Sequence, residues 1–425
     1  MVIPIYSYSQ YQKNRSFPSI VDYTKEREQV LKIIEEVRTR GDRALKNYTF
    51  QFDQADLDQL EVGTKEQKEA EDSVPEELIK AIKGAKENII RFHSHQLEKN
   101  WWDNGPGWIA GQRYLPLESV GAYIPGGTAA YPSSVLMTVV PAKVAGVKNI
   151  YLCTPPGKDG KVNPLTLVAA AEAGASAVFK IGGAQAVAAL AYGTESVPAV
   201  QKIVGPGNIY VTLAKKEVFG QVGIDMLAGP SEIVIVADGL ADPVYLAADL
   251  LSQAEHDPLS RSILITPDQD LAQQVVNNLD EQIMTLPRKK IAEQSLQDQG
   301  AIIIVSGIDQ AWPVVNEIAP EHLELHLENA WSYLDFINSA GAVFIGPYSP
   351  ESLGDYWAGS NHVLPTAGAA RYASALGVSD FIKRSHVLCY TSEALAQSAP
   401  QIAALARAEG LEAHARSVLL RRRKK

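Results

Sequence analysis

Apolar residues recur every three to four positions in the first hundred residues of the chain, which is the spacing of amphipathic helices. One such helix carries four apolar residues between positions 30 and 37 on one face and is predicted to end at Gly41. A second apolar stripe begins after residue 73, where Ser73 and Glu76 have the spacing of a capping box. The amino-terminal segment is therefore expected to be helical.

From about residue 120, short runs rich in valine and isoleucine alternate with helical patterns. Such alternation is typical of parallel sheets with crossover helices, and an asparagine or aspartate before Pro164 and Pro243 marks two helix starts. We therefore predict an α/β fold with two Rossmann-like, doubly wound units. The predicted strands cover residues 120–124, 149–153, 177–181, 202–204, 232–237, 262–266, 301–305 and 342–345.

Composition narrows the class of protein. The chain has 425 residues, 46% of them hydrophobic, but it has no apolar run of the length that a membrane-spanning helix needs. Its 39 basic and 49 acidic residues give a net charge of -10, which disfavours nucleic acid as a partner. With only Cys153 and Cys389 and no secretory signal pattern at the start, the sequence predicts a reduced, cytoplasmic protein.

Several segments carry residues suited to a metal ion. Asp249, Gln253 and His256 are spaced by four and three, so they are predicted to share one face of a helix. On its own, this segment is more typical of a solvated helix surface, and a metal site needs further ligands. Segments rich in glycine, proline and acids further along the chain supply such partners, and histidine with oxygen donors suits zinc. The candidate partners are Glu321, His322, Glu351, Asp355, His362, Glu409 and His414.

Glu321 and His322 place a carboxylate directly beside an imidazole. An imidazole titrates near neutral pH and can take a proton from a hydroxyl, while a carboxylate can activate water. The alternative is a loop that caps a helix, because a glutamate near a helix start is favourable in any case. The pair is a candidate for two proton transfers.

Two glycine-rich segments, residues 121–134 and 204–218, each follow a predicted strand and lead into a predicted helix. Backbone N–H groups at such a helix start can face a phosphate or pyrophosphate. Neither segment is a G-x-G-x-x-G motif. In the second segment, Tyr210 stands where the third glycine would be. A dinucleotide site and ordinary tight turns therefore both remain open at this point.

Read together, five segments have the order and spacing of one enzyme family. They are GPGNIYVTLAKKEVFGQVGIDMLAGPSE, DLLSQAEHD, APEHLE, SPESLGDYWAGSNHVLPT and EGLEAHARS. The sequence resembles the histidinol dehydrogenases over essentially its whole length. The resemblance implies a homodimer with one zinc ion per subunit, which uses two NAD to oxidise L-histidinol through L-histidinaldehyde to L-histidine in histidine biosynthesis.

The resemblance also implies roles for individual residues. Glu321 and His322 correspond to the catalytic positions. The corresponding zinc ligands are Gln253, His256, Asp355 and His414, the last supplied by the other subunit. The corresponding substrate contacts are Ser231, Gln253, His256, His322, Glu351, Asp355, His362, Glu409 and His414. The positions that correspond to NAD contacts are Tyr123, Gln185 and Asn208.

The resemblance also implies how the chain is divided into domains. It implies an arm, two α/β domains and a carboxyl-terminal tail exchanged between subunits. The expected division is residues 1–21 for the arm, 22–122 with 233–376 for a discontinuous main domain, 123–232 for the second Rossmann-like domain, and 377–425 for the dimerisation tail.

Alternative functions differ in the substrate pocket or in the chemistry. A zinc- and NAD-dependent dehydrogenase of another small alcohol, such as a sulfonated diol, would share the machinery, but the retained Glu409 and His414 favour histidinol. A zinc hydrolase would use Glu321 on a metal-bound water and would leave the glycine-rich turns unexplained. A structural zinc protein would need no acid–base pair beside a closed site.

Overall fold

The computed structural model describes residues 3–14, 23–126 and 130–422, which form two parallel sheets, one small antiparallel sheet and the helices around them. Outside the described residues lie residues 1–2 and 15–21 of the predicted arm, residue 22, residues 127–129 of the glycine-rich segment and residues 423–425 of the predicted tail. Within the described residues, no helix has the length and apolar character needed to cross a bilayer.

The larger sheet has six strands, and every neighbouring pair is parallel. In spatial order its strands are Ile5–Ser7, Ala301–Ile304, Arg261–Thr266, Glu232–Ala237, His322–His326 and Ala342–Ile345. Hydrophobic cores cover both of its faces, as expected of a parallel sheet. The described part of the predicted arm forms one edge strand of this sheet.

The second sheet has five strands and is also entirely parallel. In spatial order its strands are Ala177–Lys180, Asn149–Thr154, Ser119–Tyr123, Lys202–Val204 and Gly223–Ile224. The order reverses at Ser119–Tyr123, so the crevice at the carboxyl end of that strand is a topological switch point, where ligands bind in folds of this type. All eight predicted strands are present, so the α/β prediction is confirmed.

The described residues form helices that cover both parallel sheets, and two further helices near the carboxyl terminus. They are Tyr8–Asn14, Thr24–Arg40, Asp42–Asp53, Thr64–Ser73, Glu76–Ser94, Pro132–Val144, Pro164–Ala173, Gly183–Tyr192, Ile209–Val218, Pro243–Ala254, Gln269–Gln282, Lys289–Asp298, Ala311–Ile318, Glu351–Tyr356, Ser392–Ala408 and Glu412–Leu419. Short 3₁₀ turns span Ile283–Thr285, Ile308–Gln310, Ala330–Phe336, Ala369–Arg371, Val378–Phe381 and Leu420–Arg422.

The helices between residues 24 and 94 pack on the five-stranded sheet. Val30 and Ile33 share a core with Val187 of that sheet's helices, and Ile82 and Ile89 lie in the core on its other face. The strand Ser119–Tyr123 belongs to the same sheet and spans the expected boundary at residue 123. The division into residues 22–122 with 233–376 and residues 123–232 stays a prediction.

The predictions of helix caps are confirmed at Asn163 and Asp242 but not at Ser73. Asn163 and Asp242 accept hydrogen bonds from backbone N–H groups in the first turns of their helices, as predicted. The capping box at Ser73 is wrong, because Ser73 ends one helix and Pro75 precedes the next. A residue before proline is driven towards extended backbone, and Val74 adopts that conformation.

The third sheet is antiparallel and joins the carboxyl-terminal segment to the rest of the chain. Its order is Ile382–Tyr390, Trp108–Pro116 and Trp101–Gly105. Beyond it, the helices Ser392–Ala408 and Glu412–Leu419 pack on each other through small residues, including Ala403, Ala406 and Ala415. The tail therefore has its own small core.

Candidate functional site

The site is built around a central strand of the six-stranded sheet, His322–His326, which lies between two other parallel strands. Its two leucines enter the hydrophobic core on one face of the sheet. Because side chains alternate along a strand, the two histidines and Glu324 point to the opposite face. All three are buried, so they must find polar partners there.

The predicted acid–imidazole pair is present at the start of this strand. The Nδ1 atom of His322 lies 3.1 Å from the carbonyl oxygen of Glu232. A carbonyl oxygen can only accept, so this contact places the imidazole proton on Nδ1 and a lone pair on Nε2. The Oε2 atom of Glu321 accepts a hydrogen bond of 3.0 Å from the backbone N–H of Glu232. The same neighbouring residue therefore orients both side chains.

Burial shifts the pKa values of this pair in opposite directions. It raises the pKa of Glu321 well above its ordinary value, and the nearby carboxylate of Asp355 raises it further, against the hydrogen bond from Glu232. Burial lowers the pKa of His322, against the pull of Asp355. The imidazole is therefore neutral near pH 7, and its Nε2 atom has no hydrogen-bond partner among the described residues.

The short helix Glu351–Tyr356 brings two more predicted residues to the same place. Glu351 and Asp355 are four positions apart and share one face of it. The Oδ1 atom of Asp355 lies 3.9 Å from Nε2 of His322. The start of the helix is fixed by Glu324, whose carboxylate accepts a hydrogen bond of 2.7 Å from the Glu351 N–H.

His362 and Glu351 complete this group. Nδ1 of His362 lies 4.0 Å from Oδ1 of Asp355. Burial lowers the pKa of His362, as it does for His322. Burial, with the nearby Asp355, raises the pKa of Glu351 to about 8, while the Ser252 hydroxyl donates to its carboxylate over 2.9 Å.

Gln253 and His256 approach this group from the end of the helix Pro243–Ala254. Gln253 is 1% exposed, and its Oε1 atom has no hydrogen-bond partner among the described residues. His256 lies in the turn after the helix and is close enough to His362 for its charge to lower the pKa of that residue. The interpretation as a solvated helix face is therefore wrong for Gln253, whose buried carbonyl lacks a donor.

A second titratable cluster was not recognised from the sequence. Nε2 of His326 lies 3.3 Å from Oε2 of Glu324 and 3.8 Å from Oδ2 of Asp249. Burial and the charge of Glu324 raise the pKa of Asp249 to about 8. The signal for it was the alternation of the sequence HLELH, which is typical of a strand with one polar face.

The two clusters together form a strongly electronegative interior. Among the described residues, no lysine or arginine forms an ion pair with Asp249, Glu324, Glu351 or Asp355. Buried carboxylates without a cation are unfavourable, which is why two of their pKa values are raised. Two sets of side chains lie close enough together to hold a metal ion: His322 with Glu351 and Asp355, and Asp249 with Glu324 and His326.

The predicted nucleotide contacts lie at the carboxyl ends of strands in the five-stranded sheet. Tyr123 ends the strand at the switch point, and its hydroxyl accepts a hydrogen bond of 3.1 Å from the Gly183 N–H. Gln185 lies in the first turn of the helix that begins at Gly183, 1% exposed and with Oε1 unpartnered among the described residues. Asn208 caps the helix Ile209–Val218 with its side chain.

A cavity of about 70 Å³ joins these two regions. Its walls include the turn at Gly205 and Pro206 on one side and Ser231, Glu321 and His362 on the other. The predicted substrate contact Ser231 thus lies next to the acid–imidazole pair. The cavity places the nucleotide turn of one sheet beside the proton-transfer groups of the other.

Two predicted site residues lie apart from this group. Glu409 follows the helix Ser392–Ala408, and His414 lies in the helix Glu412–Leu419. Both side chains are exposed, and within the part of the chain described here neither forms a hydrogen bond or ion pair with Asp355 or His322. Within one subunit, the site therefore lacks both of them.

Comparisons with known proteins agree with one another. A family model described as histidinol dehydrogenase matches residues 19–422. The histidinol dehydrogenase of Halalkalibacterium halodurans is 54% identical over 390 residues, covering 92% of each chain. That of Bacillus subtilis is 52% identical over 401 residues, covering 94% of each chain. A crystal structure of histidinol dehydrogenase from Elizabethkingia anophelis is 41% identical, has a TM-score of 0.94, and covers 99% of this chain and 98% of its own.

Proposed function

The chain belongs to the histidinol dehydrogenase family, and on that basis we propose that it oxidises L-histidinol through L-histidinaldehyde to L-histidine, with zinc and two molecules of NAD. These are the last two steps of histidine biosynthesis. The observation that carries the proposal is the buried, neutral imidazole of His322, whose free Nε2 atom faces an uncompensated group of carboxylates. A base that must accept a hydroxyl proton needs this arrangement.

The donors around Asp355 suit a zinc ion. The unpartnered Oε1 atom of Gln253, the imidazole of His256 and the carboxylate of Asp355 are oxygen and nitrogen ligands of the kind that zinc takes. We propose these three with His414 as the ligands of one zinc ion per subunit. When bound, zinc would supply positive charge that holds the substrate's imidazole and amine and favours ionised carboxylates.

In the first oxidation, His322 takes the hydroxyl proton of L-histidinol at Nε2. The C–H hydride of the same carbon passes to NAD, so that the alcohol loses two electrons and becomes the aldehyde. The Glu232 carbonyl keeps the Nδ1 proton in place, which leaves Nε2 free to accept. Glu351 and His362 lie near His322 and would contact the substrate.

Between the two oxidations, a water molecule must add to the aldehyde. Glu321 is placed to take a proton from that water, since its carboxylate lies 3.7 Å from the His322 ring and lines the same cavity as Ser231. His322 returns the proton of the first oxidation to the aldehyde oxygen, which completes the hydrate and frees Nε2. It can then take a hydroxyl proton of the hydrate while a second hydride passes to a second NAD, which leaves L-histidine. A covalent thiohemiacetal is not needed, because Cys153 is buried in a strand and its burial raises the pKa of the thiol.

We propose that NAD binds at the switch point of the five-stranded sheet. Tyr123, Gln185 and Asn208 surround the carboxyl ends of its strands, and helix starts at Gly183 and Ile209 offer backbone N–H groups to a pyrophosphate. The proposal is supported by the cavity between Gly205 and Glu321, which lies between this turn and the proposed proton-transfer groups.

We further propose that the active form is a homodimer in which His414, with Glu409, comes from the other subunit. This proposal is supported by the exposed position of these two side chains outside their own site and by the exposed apolar side chains of the same tail. Leu388 is 72% exposed and Leu405 is 68% exposed.

Both cysteines are unpaired, as expected of a protein that acts in the cytoplasm.

Metal removal tests this function. Protein dialysed against a chelator should form no NADH from L-histidinol and NAD, and one equivalent of zinc per subunit should restore the rate. NADH formation by the metal-free protein would contradict the role of zinc. A faster reaction with a sulfonated diol than with L-histidinol would contradict the substrate assignment.

A further inference from the structure

A buried ion pair holds one residue of the nucleotide turn on both sides. The Asp225 carboxylate accepts a hydrogen bond of 2.7 Å from the N–H of Gly205. The Lys215 ammonium donates a hydrogen bond of 3.0 Å to the carbonyl oxygen of Gly205. Lys215 and Asp225 also pair directly with each other, and their side chains are 3% and 1% exposed. The peptide groups of Gly205 are thus bound by two opposite charges.

The backbone conformation at Gly205 is also restricted by the strand beside it. Its φ angle is +112°, and a Cβ atom added there would lie 2.1 Å from the carbonyl oxygen of Tyr123. The turn therefore lies tightly against the end of the strand that ends in Tyr123. Three residues later Asn208 caps the next helix, so the conformation at Gly205 determines where Asn208 and its helix start lie.

The same pair also borders the substrate side of the site. The other carboxylate oxygen of Asp225 accepts a hydrogen bond of 2.7 Å from the N–H of Met226, the first residue of the segment that leads to Ser231. Lys215 and Asp225 line the 70 Å³ cavity together with Ser231 and Glu321. The pair therefore lies in the wall between the nucleotide turn and the proton-transfer groups.

We propose that Lys215 and Asp225 are positioning residues for the nicotinamide cofactor, holding the turn at Gly205 in the conformation that binds it beside the substrate. This inference rests on the proposed function, since it assumes NAD at this turn. A buried ion pair adds little stability over apolar residues of the same size, so holding this geometry is a sufficient reason for its presence.

The test is the steady-state kinetics of Lys215→Met. The variant should raise the KM for NAD by about tenfold or more, because a charged hydrogen bond to the turn is lost. The KM for L-histidinol and the zinc content should stay near the wild-type values, and the Kd of NADH, measured by fluorescence, should rise in parallel. A merely structural role of Lys215 would lower the stability of the variant but would leave the ratio of the KM for NAD to the KM for L-histidinol unchanged.

Lys202→Met is the matched control. Lys202 begins a strand of the same sheet, and its ammonium pairs with Asp380 over 2.8 Å, away from the cavity. This variant should lose stability without a change in the KM for NAD. An equal rise in KM in both lysine variants would overturn the inference.

The double variant Lys215→Met with Asp225→Asn covers the case in which the single variant folds poorly. Removing both charges leaves no unpaired buried charge, so stability should recover, while the KM for NAD should stay high because the Gly205 carbonyl remains unbound. A wild-type KM in either Lys215 variant would overturn the positioning role. Wild-type protein that forms no NADH would instead overturn the proposed function.

Discussion

The Nε2 atom of His322 lies 3.9 Å from the Oδ1 atom of Asp355, although the two residues come from a strand and from a separate short helix. Asp355 belongs to the proposed zinc ligands, whereas His322 is the proposed base. The proposed base therefore lies beside a proposed zinc ligand, and the two residues have separate proposed roles.

This separation of roles predicts the behaviour of His322→Asn. Turnover should fall by about a thousandfold, because a general base contributes about that much, while zinc content measured by elemental analysis should stay at the wild-type level. His386→Asn, at an exposed histidine of the antiparallel sheet, should change neither quantity. Loss of zinc from His322→Asn would mean that His322 is a ligand.

The proposed exchange between subunits can be tested with mixed dimers. His414→Ala and Glu321→Gln chains should each be inactive alone. Mixed and allowed to exchange, they should recover up to about a quarter of wild-type activity, because half of the dimers are mixed and each of these has one intact site. Histidine formation no higher than in the parent proteins would show that His414 serves its own subunit.

The buried acids predict a pH dependence of stability in the metal-free protein. The pKa of Asp249 is raised to about 8, so the folded state keeps a proton that the unfolded chain loses near pH 4. Stability from this carboxyl is therefore present below that pH and is lost as pH rises towards 8. Asp249→Asn should be more stable than the wild type at pH 8, with a smaller difference at pH 5.

The measurement is urea unfolding of chelator-treated protein at both pH values, with Asp280→Asn as the control at an exposed helical aspartate. The amide group that Asp249→Asn introduces can still donate a hydrogen bond to Glu324, so only the charge is removed. Parallel stability curves for Asp249→Asn and the wild type would rule out the raised pKa.

Direct hydration of the aldehyde predicts that neither cysteine is needed. Cys153→Ala with Cys389→Ser should keep both oxidations within about twofold of the wild-type rate, because no step uses a thiol nucleophile. Rates of NADH formation from L-histidinol and from L-histidinaldehyde would be measured separately. A variant that still oxidises the alcohol but no longer the aldehyde would indicate a covalent intermediate.

Hydrophobic pattern was sufficient for most of the fold. Strands buried on both faces appear as continuous valine and isoleucine runs, so the eight predicted strands were recognised. The strand His322–His326 was not, because its polar face carries three titratable residues and breaks the apolar run. The three antiparallel strands were not predicted either. Trp101–Gly105 pairs with Trp108–Pro116, its neighbour in sequence, and Trp108–Pro116 pairs in turn with Ile382–Tyr390, which is far away in sequence.

The sequence indicated several residues of the candidate site but not their arrangement. Residue types and spacing indicated Gln253, His322 and Asp355, yet only tertiary packing shows that Glu324 holds the helix that carries Asp355. The second cluster with Asp249 has no short motif, since its members come from a strand and a helix. The packing of one subunit, moreover, does not determine where His414 acts.

The most direct test of the central claim is the amount of NADH formed for each L-histidinol consumed by zinc-loaded protein, with the reaction run to completion. We expect two NADH for each substrate molecule, and L-histidine as the product. One NADH for each substrate would mean that oxidation stops at the aldehyde, and it would contradict both the four-electron reaction and the role of Glu321 in hydration.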